Sequence, residues 1–505
     1  MSSPLERRRA GVLLHPTSLP PGPAGGVLGD SALRFVDLIA EAGFSVWQML
    51  PVGPVDASLS PYSSKSSFAG NPALLDRALI DGLQVGRETA LEIRREAALD
   101  TAAVTAALGH EAFESFLASA GAWLLPWVDY ALRRERYGRR PWWQWPDEAA
   151  RSATPAVAGG DPWPTGAEAA TALEADAILA RARAEPRFGE LIATQFLFDQ
   201  QWQRLRRHAQ ARGVALFGDL PFYTDHDSAD TWAERQVFAL DAAGQPEAVA
   251  GVPPDYFSAD GQLWGNPLFD WDGARPQVFD WWTRRLAVQL ARFDLLRLDH
   301  FRALEAHWAV PAGAETAREG HWRPTPGHAL LAHLRSTLGA LPLVAEDLGT
   351  ITPEVLALRD AFDLPGMLVL QFAFDGSPDN PYLPAQHVEN AVVYTGTHDN
   401  DTTLGWYHAL DEHTQGLVRG MLEPYQPPGA GVDVPMPETL IRCAYASPAR
   451  LAIIPMQDLL GLGAEARMNL PGVAEGNWRW RFDWAQVERG FGARWRGLAE
   501  EFERR

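Results

Sequence analysis

The chain has 505 residues, 46% of them hydrophobic and 21% charged, which is ordinary for a soluble globular protein with a large buried core. A formal charge of −20 argues against a nucleic-acid backbone as partner, and no stretch reaches the ~20 apolar residues of a membrane span. A lone cysteine, Cys443, excludes an intrachain disulfide and a cysteine-built metal site, while a single lysine, Lys65, leaves one candidate for Schiff-base chemistry. The N-terminal MSSPLERRRAGVLLHPTSLP has no apolar run of signal-peptide length, so the cytoplasm is the expected compartment.

In chain order, the first predicted strand is GVLLHP, from Gly11. A helix follows, with Phe35, Leu38, Ile39 and Ala42 on one face, a candidate cap at Asp30 and a stop at Gly43. The second strand is VWQMLPVGP, from Val46. Residues 55–188 then form a connection too long for a plain crossover and are expected to be a mostly helical insertion subdomain. It contains the Pro/Gly/Ala-rich stretch from Ala153 and an aromatic cluster, Trp142, Trp143 and Trp145, that suits either core packing or a sugar face. Leu191, Phe198, Trp202, Leu205 and Ala209 mark a second helix, closed by Gly213 ahead of the third strand, VALFGDLP, from Val214.

A second long connection, 222–276, is expected to carry a substrate-covering loop. Strands follow at DLLRLDH (from Asp294), LPLVAEDLG (Leu341), MLVLQFAFD (Met367), AVVYTGTHD (Ala391) and LAIIPMQD (Leu451). Thr352 and Pro353 supply a helix cap and first turn between them, and PYQPPGAGVDVPMP, from Pro424, reads as an exposed loop. The runs are continuous rather than alternating, as in parallel strands buried on both faces. Eight of them in alternation with helices predict an α/β fold: a (β/α)8 TIM barrel spanning 1–505 as a single catalytic domain, with large insertions after strands 2 and 3 and no separate C-terminal β-sandwich domain.

Acidic residues fall at the C-terminal ends of different runs: Asp219, Asp299, Glu346, Asp399 and Asp458. A buried charge without partners is costly, and barrel sites are built from residues at these strand ends, so together they mark a site. Clustered carboxylates suit glycosyl chemistry, in which one acid protonates the leaving oxygen and a second attacks or stabilises the oxocarbenium-like centre. Arg297 lies two residues before Asp299 and shares its side of the strand. It would hold Asp299 ionised, or serve as a plain ion-pair partner.

At these residues the chain resembles the 4-α-glucanotransferases of the amylomaltase (disproportionating enzyme) family, a branch of the α-amylase superfamily. The resemblance rests on GVLLHPTSLP, WQMLPVGP, SPYSSKSSFAGNP, GDLPFYTDHDSADTW, AGVPPDYFSADGQLWGNPL, RLDHFRALEAHW, AEDLG, GTHDNDTT and IIPMQDLLGLGAEARMNLPG, in the family's order. It implies Asp299 as nucleophile, Glu346 as general acid/base and Asp399 as the carboxylate that grips sugar hydroxyls and distorts the ring. It implies contacts to the reacting glucose from Arg297, His398 and Asp219, stacking by Tyr62 with Ser60 nearby, a lid over the acceptor sites bearing Asp255, Gln262 and Trp264, and a sugar contact from Asn469. Retaining transfer between malto-oligosaccharides or other α-1,4-glucans follows, with neighbouring carboxylates keeping the proton on Glu346. No metal, cofactor, nucleic acid or membrane is implied. The chain departs from the family in GGVLGD, where Gly-Ile-Gly-Asp is usual, and in Ala303, where Gly is usual.

Other motifs carry less. Gly461, Gly463 and Ala466 fit a permissive dinucleotide fingerprint but lack the following βα unit. His226, Asp227 and Asp230, and the pair His300 and His307, have no recognised metal-ligand spacing. The sequence alternatives to transfer are an α-amylase-like hydrolase, which uses the same carboxylates, and an inactive glucan-binding protein.

Overall fold

The computed structural model describes residues 4–22, 26–76, 100–146, 175–254, 259–429, 435–473 and 475–505. The stretch from Ala153, residue Asp255 and the centre of the loop after Pro424 lie outside the described residues. Eight strands form one parallel sheet: β1 (Arg9–Leu13), β2 (Val46–Gln48), β3 (Ala215–Leu220), β6 (Leu295–Leu298), β9 (Leu343–Ala345), β10 (Gly366–Val369), β11 (Ala391–Tyr394) and β12 (Leu451–Pro455). Neighbours follow chain order, and β12 pairs back onto β1 from Arg9↔Leu451 to Leu13↔Pro455. β10 meets β9 where the Ala345 amide donates to Pro365 O at 2.8 Å. All eight apolar runs are therefore barrel strands, surrounded by helices.

Burial explains why those runs are continuous. Leu13, Val46, Phe217, Leu295, Val344, Val392 and Ile453 pack together inside the barrel. Their strand neighbours Val12, Trp47, Leu216, Leu296, Ala345, Val393 and Ile454 face the helical layer. Both faces are apolar, so period-2 alternation vanishes from the sequence. Gly11 is required by the same crowding, because a Cβ there would sit 2.5 Å from Ile453 Cδ1 and 2.8 Å from Val46 Cβ.

The helix Asp30–Glu41 buries Phe35, Val36 and Ile39, and Gly43 ends it at φ 84°. Gly29 holds its cap position, and Asp30 is the first helical residue rather than the cap; its charge lies in the turn where the helix dipole favours it. Thr352 does occupy an N-cap, but its hydroxyl bonds none of the helix amides. After β2 come the helices Thr101–Leu108, His110–Arg136 and Ala175–Ala184, then Pro186–Ala211, which runs unbroken toward β3 and is followed by Gly213 at φ 72°. Trp142 and Trp145 are fully buried in this region, and Trp143 stacks on His226 at 3.8 Å, which settles the cluster as packing.

The excursions after β3 and β6 meet in a second sheet. β4 (Ala248–Val252) and β5 (Gln262–Pro267) come from the first, β7 (Ala306–Pro311) and β8 (His321–Pro324) from the second, in the antiparallel order β5-β4-β7-β8. The β7–β8 hairpin is not anticipated by the sequence reading, which finds no long connection there. Among the described residues, no helix is long and apolar enough to cross a membrane.

At the opposite pole, Arg504 is fully buried and has no carboxylate partner among the described residues. Its guanidinium donates to Tyr445 O (2.7 Å), Ala449 O (3.0 Å), Arg9 O (3.2 Å), Ser447 O (2.5 Å) and Ala444 O (3.3 Å). It thus caps the helix Glu438–Ala446 and ties it to β1. Arg504→Ala is expected to lower stability by about 3 kcal/mol, since bonds from a charged donor to buried acceptors each contribute ~1.5–3 kcal/mol and are not additive. A shift of less than about 1 kcal/mol in urea unfolding would show that those carbonyls find other donors.

Candidate active site

The register of the barrel brings the first group together. Asp219 lies within β3 opposite Arg297 of β6, and Asp299 follows β6 where the ladder continues through its amide to Leu220 O at 3.0 Å. Arg297 Nη1 contacts Asp219 Oδ2 and Nη2 contacts Asp299 Oδ1, each at 2.8 Å. The two roles open to Arg297 are thus filled at once: one edge makes a structural pair and the other faces the candidate nucleophile. Tyr62, from the loop after β2, donates its hydroxyl to Asp219 Oδ2 at 2.8 Å. Asp219 is the innermost member, with no side-chain exposure. Burial pushes its carboxyl up, against the pull of the Arg297 guanidinium.

Glu346 stands one residue beyond β9, next to Asp299 one residue beyond β6, because Leu298 pairs with Ala345. Its Oε2 accepts the His300 amide at 2.7 Å and its Oε1 the Leu348 amide at 2.9 Å, which fixes the carboxyl at the strand ends. His300 reaches this position in the left-handed region, φ 52° and ψ 46°, which residues other than glycine seldom adopt. Burial raises the Glu346 pKa to about 7; Arg297 opposes this and the Asp299 charge adds to it. The sequence-based expectation credited neighbouring carboxylates with the proton. Desolvation is the larger cause, because the nearest cation offsets the nearest anion.

Asp399 follows β11 on a turn in which Asn400 Oδ1 accepts from the Thr397 amide and hydroxyl, both at 2.9 Å. Asn469 Nδ2 donates to Asp399 Oδ1 at 2.6 Å, Arg467 donates to Asp399 O at 2.7 Å, and His398 Nε2 lies 3.3 Å from the same Oδ1. Its side chain is 47% exposed, so Asp399 faces the open cleft while Asp219 lies beneath it. Tyr62 stacks on His398 at 5.3 Å and 16°, with Trp478 completing the wall at 6.0 and 5.9 Å. Burial lowers the His398 pKa and favours a neutral ring.

Not every strand-end carboxylate joins. Asp458 turns inward and accepts from the Thr395 hydroxyl (2.7 Å), the Thr403 amide (2.8 Å) and the Thr403 hydroxyl (2.6 Å). It is a buried, satisfied structural group. Ser60 is half-buried in the turn before Tyr62, its carbonyl accepting the Ser63 amide at 3.2 Å. Gln262 and Trp264 lie on the exposed edge strand β5, joined by Trp264 Nε1 to Gln262 Oε1 at 3.1 Å, and the Trp264 ring meets His300 edge-on at 4.7 Å. Sequence reasoning missed Arg467, Trp478 and the backbone role of His300; only the position of His300 beside Asp299 was a signal.

The decoys are occupied elsewhere. Gly461 and Gly463 precede a three-residue 3-10 turn, not a βα unit. His226 bonds Gly244 O, Asp227 accepts from Tyr130 and Arg134, Asp230 accepts the Ser67 amide, and His307 pairs with Thr325.

Carboxylates of unlike environment at one barrel mouth, one ion-paired and one desolvated, can divide nucleophilic and acid work. The profile of a family described as 4-alpha-glucanotransferase matches residues 14–486. The chain is 42% identical to a 4-alpha-glucanotransferase of Synechocystis sp. over 504 residues, covering 95% of this chain and 94% of the relative. It is 42% identical to that of Thermus thermophilus over 521 residues, covering 98% and 99%. Among solved structures, an amylomaltase from Streptococcus agalactiae in complex with acarbose aligns with a TM-score of 0.84 at 30% identity, covering 99% of this chain and all of the other. An amylomaltase from Corynebacterium glutamicum shares the fold, with a TM-score of 0.73 at 18% identity, covering 99% of this chain and 76% of the other. Length, site and likeness agree, and the chain belongs to the 4-alpha-glucanotransferase family, enzymes that transfer α-glucan segments rather than simply hydrolyse them.

Proposed function

We propose that Asp299 is the nucleophile and Glu346 the acid/base of a retaining double displacement on malto-oligosaccharides and longer α-1,4-glucans. Asp299 attacks the anomeric carbon as the bond to the departing O4 breaks, and Glu346 gives that oxygen its proton. Glu346, now a carboxylate, takes the proton of an acceptor 4-hydroxyl as that oxygen displaces Asp299. The observation that carries this is the pairing of strand ends: Asp299 bonded to Arg297, with Glu346 beside it clamped by the His300 amide. Adjacent parallel strands lie ~4.8 Å apart, close to the ~5–5.5 Å carboxyl separation of retaining pairs.

Asp399, exposed and steered by Asn469, grips sugar hydroxyls of the donor, with Tyr62, Ser60, His398, Arg297 and Asp219 shaping that side. Residues 222–276 cover the acceptor side through Gln262 and Trp264, and the helices within 55–188 form a subdomain that Tyr130 ties to the loop after β3 at Asp227. The buried thiol of Cys443, pushed up to about 12 by burial, is inert and suits the cytoplasm.

Pure maltotriose tests the reading. Transfer yields glucose together with maltopentaose and longer chains. Products no longer than the starting trisaccharide would leave hydrolysis as the activity.

A further inference from the structure

The one lysine of the chain is not among the groups assigned above. Of the 44 lysine and arginine residues, Lys65 alone is lysine, and it follows Tyr62 in the same loop. It is buried, with its ammonium 2.8 Å from Asp225 Oδ2, 3.2 Å from Asp56 Oδ2 and 3.9 Å from Asp227 Oδ2. Burial works against its charge, but Asp225, Asp56 and Asp227 outweigh burial and raise its pKa. The amine therefore stays protonated and is no nucleophile for a Schiff base. A compact ammonium can turn one of its three donors toward each carboxylate, whereas a guanidinium presents its donors in one plane.

Asp56 and Lys65 bracket the loop that carries Tyr62, and the Lys65 amide also donates to Pro54 O at 2.8 Å, so the ion pair closes the loop at its base. Asp225 and Asp227 follow β3, the strand that bears Asp219. The same two segments are thus joined at two points, by the Tyr62 hydroxyl on Asp219 and by the Lys65 ammonium on Asp225. Asp227 in turn accepts from Tyr130 and Arg134 of the helix His110–Arg136, which anchors the cluster to the insertion.

Packing alone does not hold the loop. A cavity of about 430 Å³ is lined by Pro61, Tyr62 and Ser64 from the loop and by Asp219 and Asp225 from the facing segment. Leu59 stands at φ 62°, a conformation that a bulky side chain resists and that persists only where surrounding contacts impose it.

We propose that Lys65 is a positioning residue for glucan transfer, its ammonium pinning the loop from Asp56 to Lys65 so that the Tyr62 ring meets the donor sugar in the geometry for attack. The inference rests on the reading of Tyr62 as part of the donor side.

The test measures kcat and KM for maltotriose with the full-length enzyme. The variants are Lys65→Met, Asp56→Asn and Tyr62→Ala, with each of the first two also combined with Tyr62→Ala, all at a temperature where circular dichroism shows them folded. Lys65→Met is expected to lower kcat about tenfold with KM changed less than about twofold, a fraction of the ~10²-fold that a 1 Å misplacement can cost. Asp56→Asn removes one charge but keeps an oxygen to accept the Ser58 amide, and should lower kcat about threefold in the same manner. With Tyr62→Ala in place, neither substitution should lower kcat further by more than about 1.5-fold, because the ring being placed is gone. A lysine that only stabilises the fold would lower kcat by the same factor in both backgrounds, and that result overturns the assignment. An unchanged kcat in Lys65→Met overturns it too. If Lys65→Met does not fold, Asp56→Asn decides by the same comparison. A loss in Tyr62→Ala with none in the Lys65 or Asp56 variants removes this inference alone. Unchanged kcat in Tyr62→Ala removes the reading of Tyr62, and this inference with it.

Discussion

Asp299→Ala is expected to lower glucan transfer by at least ~10⁴-fold, the scale on which loss of a covalent nucleophile is felt. The carboxylate is held by Arg297 Nη2 at 2.8 Å at the end of β6, and the neighbouring acids are held elsewhere. Asp219 is fully buried beneath the guanidinium, and Glu346 is tied by two amides. The loss should be chemical and not structural, because Arg297 keeps its pair with Asp219 at 2.8 Å and remains compensated. Mass spectrometry of the acid-quenched enzyme with donor alone should find a glycosyl adduct on Asp299, absent in the variant. Turnover within tenfold of the unmodified enzyme, or an adduct on another residue, rules out this nucleophile.

Glu346→Gln should cost ~10²–10⁴-fold with maltotriose, whose leaving sugar needs a proton, and much less in glycosyl transfer to the enzyme from a glycosyl fluoride, whose leaving group does not. The same substitution should alter the pH profile. In the proposed mechanism Glu346 works first as an acid, so its protonated form would be the active one. With a pKa raised to about 7 chiefly by burial, kcat/KM should be sustained below that value and fall as pH rises through it. The glutamine variant has no such limb. A profile that keeps its descent near pH 7 in the variant assigns the titration to another group, and equal losses on maltotriose and fluoride remove Glu346 from proton transfer.

Both expectations turn on carboxylates visible in the sequence, and the reason is local. A strand buried on two faces leaves an apolar run, and an acid at its end stands out against it, as Asp299 and Glu346 do after β6 and β9. The same signal also picked out Asp458, whose partners Thr395 and Thr403 stand 63 and 55 residues away and turn it into a structural group. Asp30 shows the same limit at short range: a good capping residue type sits one position inside the helix that Gly29 begins. The β7–β8 hairpin escaped because β8, His321–Pro324, is short, polar and mostly exposed, and because β7 finds its partner in β4, from another excursion.

What the sequence by itself determined is the list of parts: eight doubly buried strands in order, the acids that end them, and, by resemblance, the chemistry proposed for those acids. Tertiary structure alone decided how those parts act on one another. It set the hydroxyl of Tyr62 on an aspartate 157 residues later, divided one guanidinium between Asp219 and Asp299, and bent His300 so that its amide grips Glu346. The reason is physical: helix and strand patterns reflect which faces lose water, a property of neighbours in the chain. The desolvation of a single carboxyl, and the choice of its partners, depend on every element that closes over it.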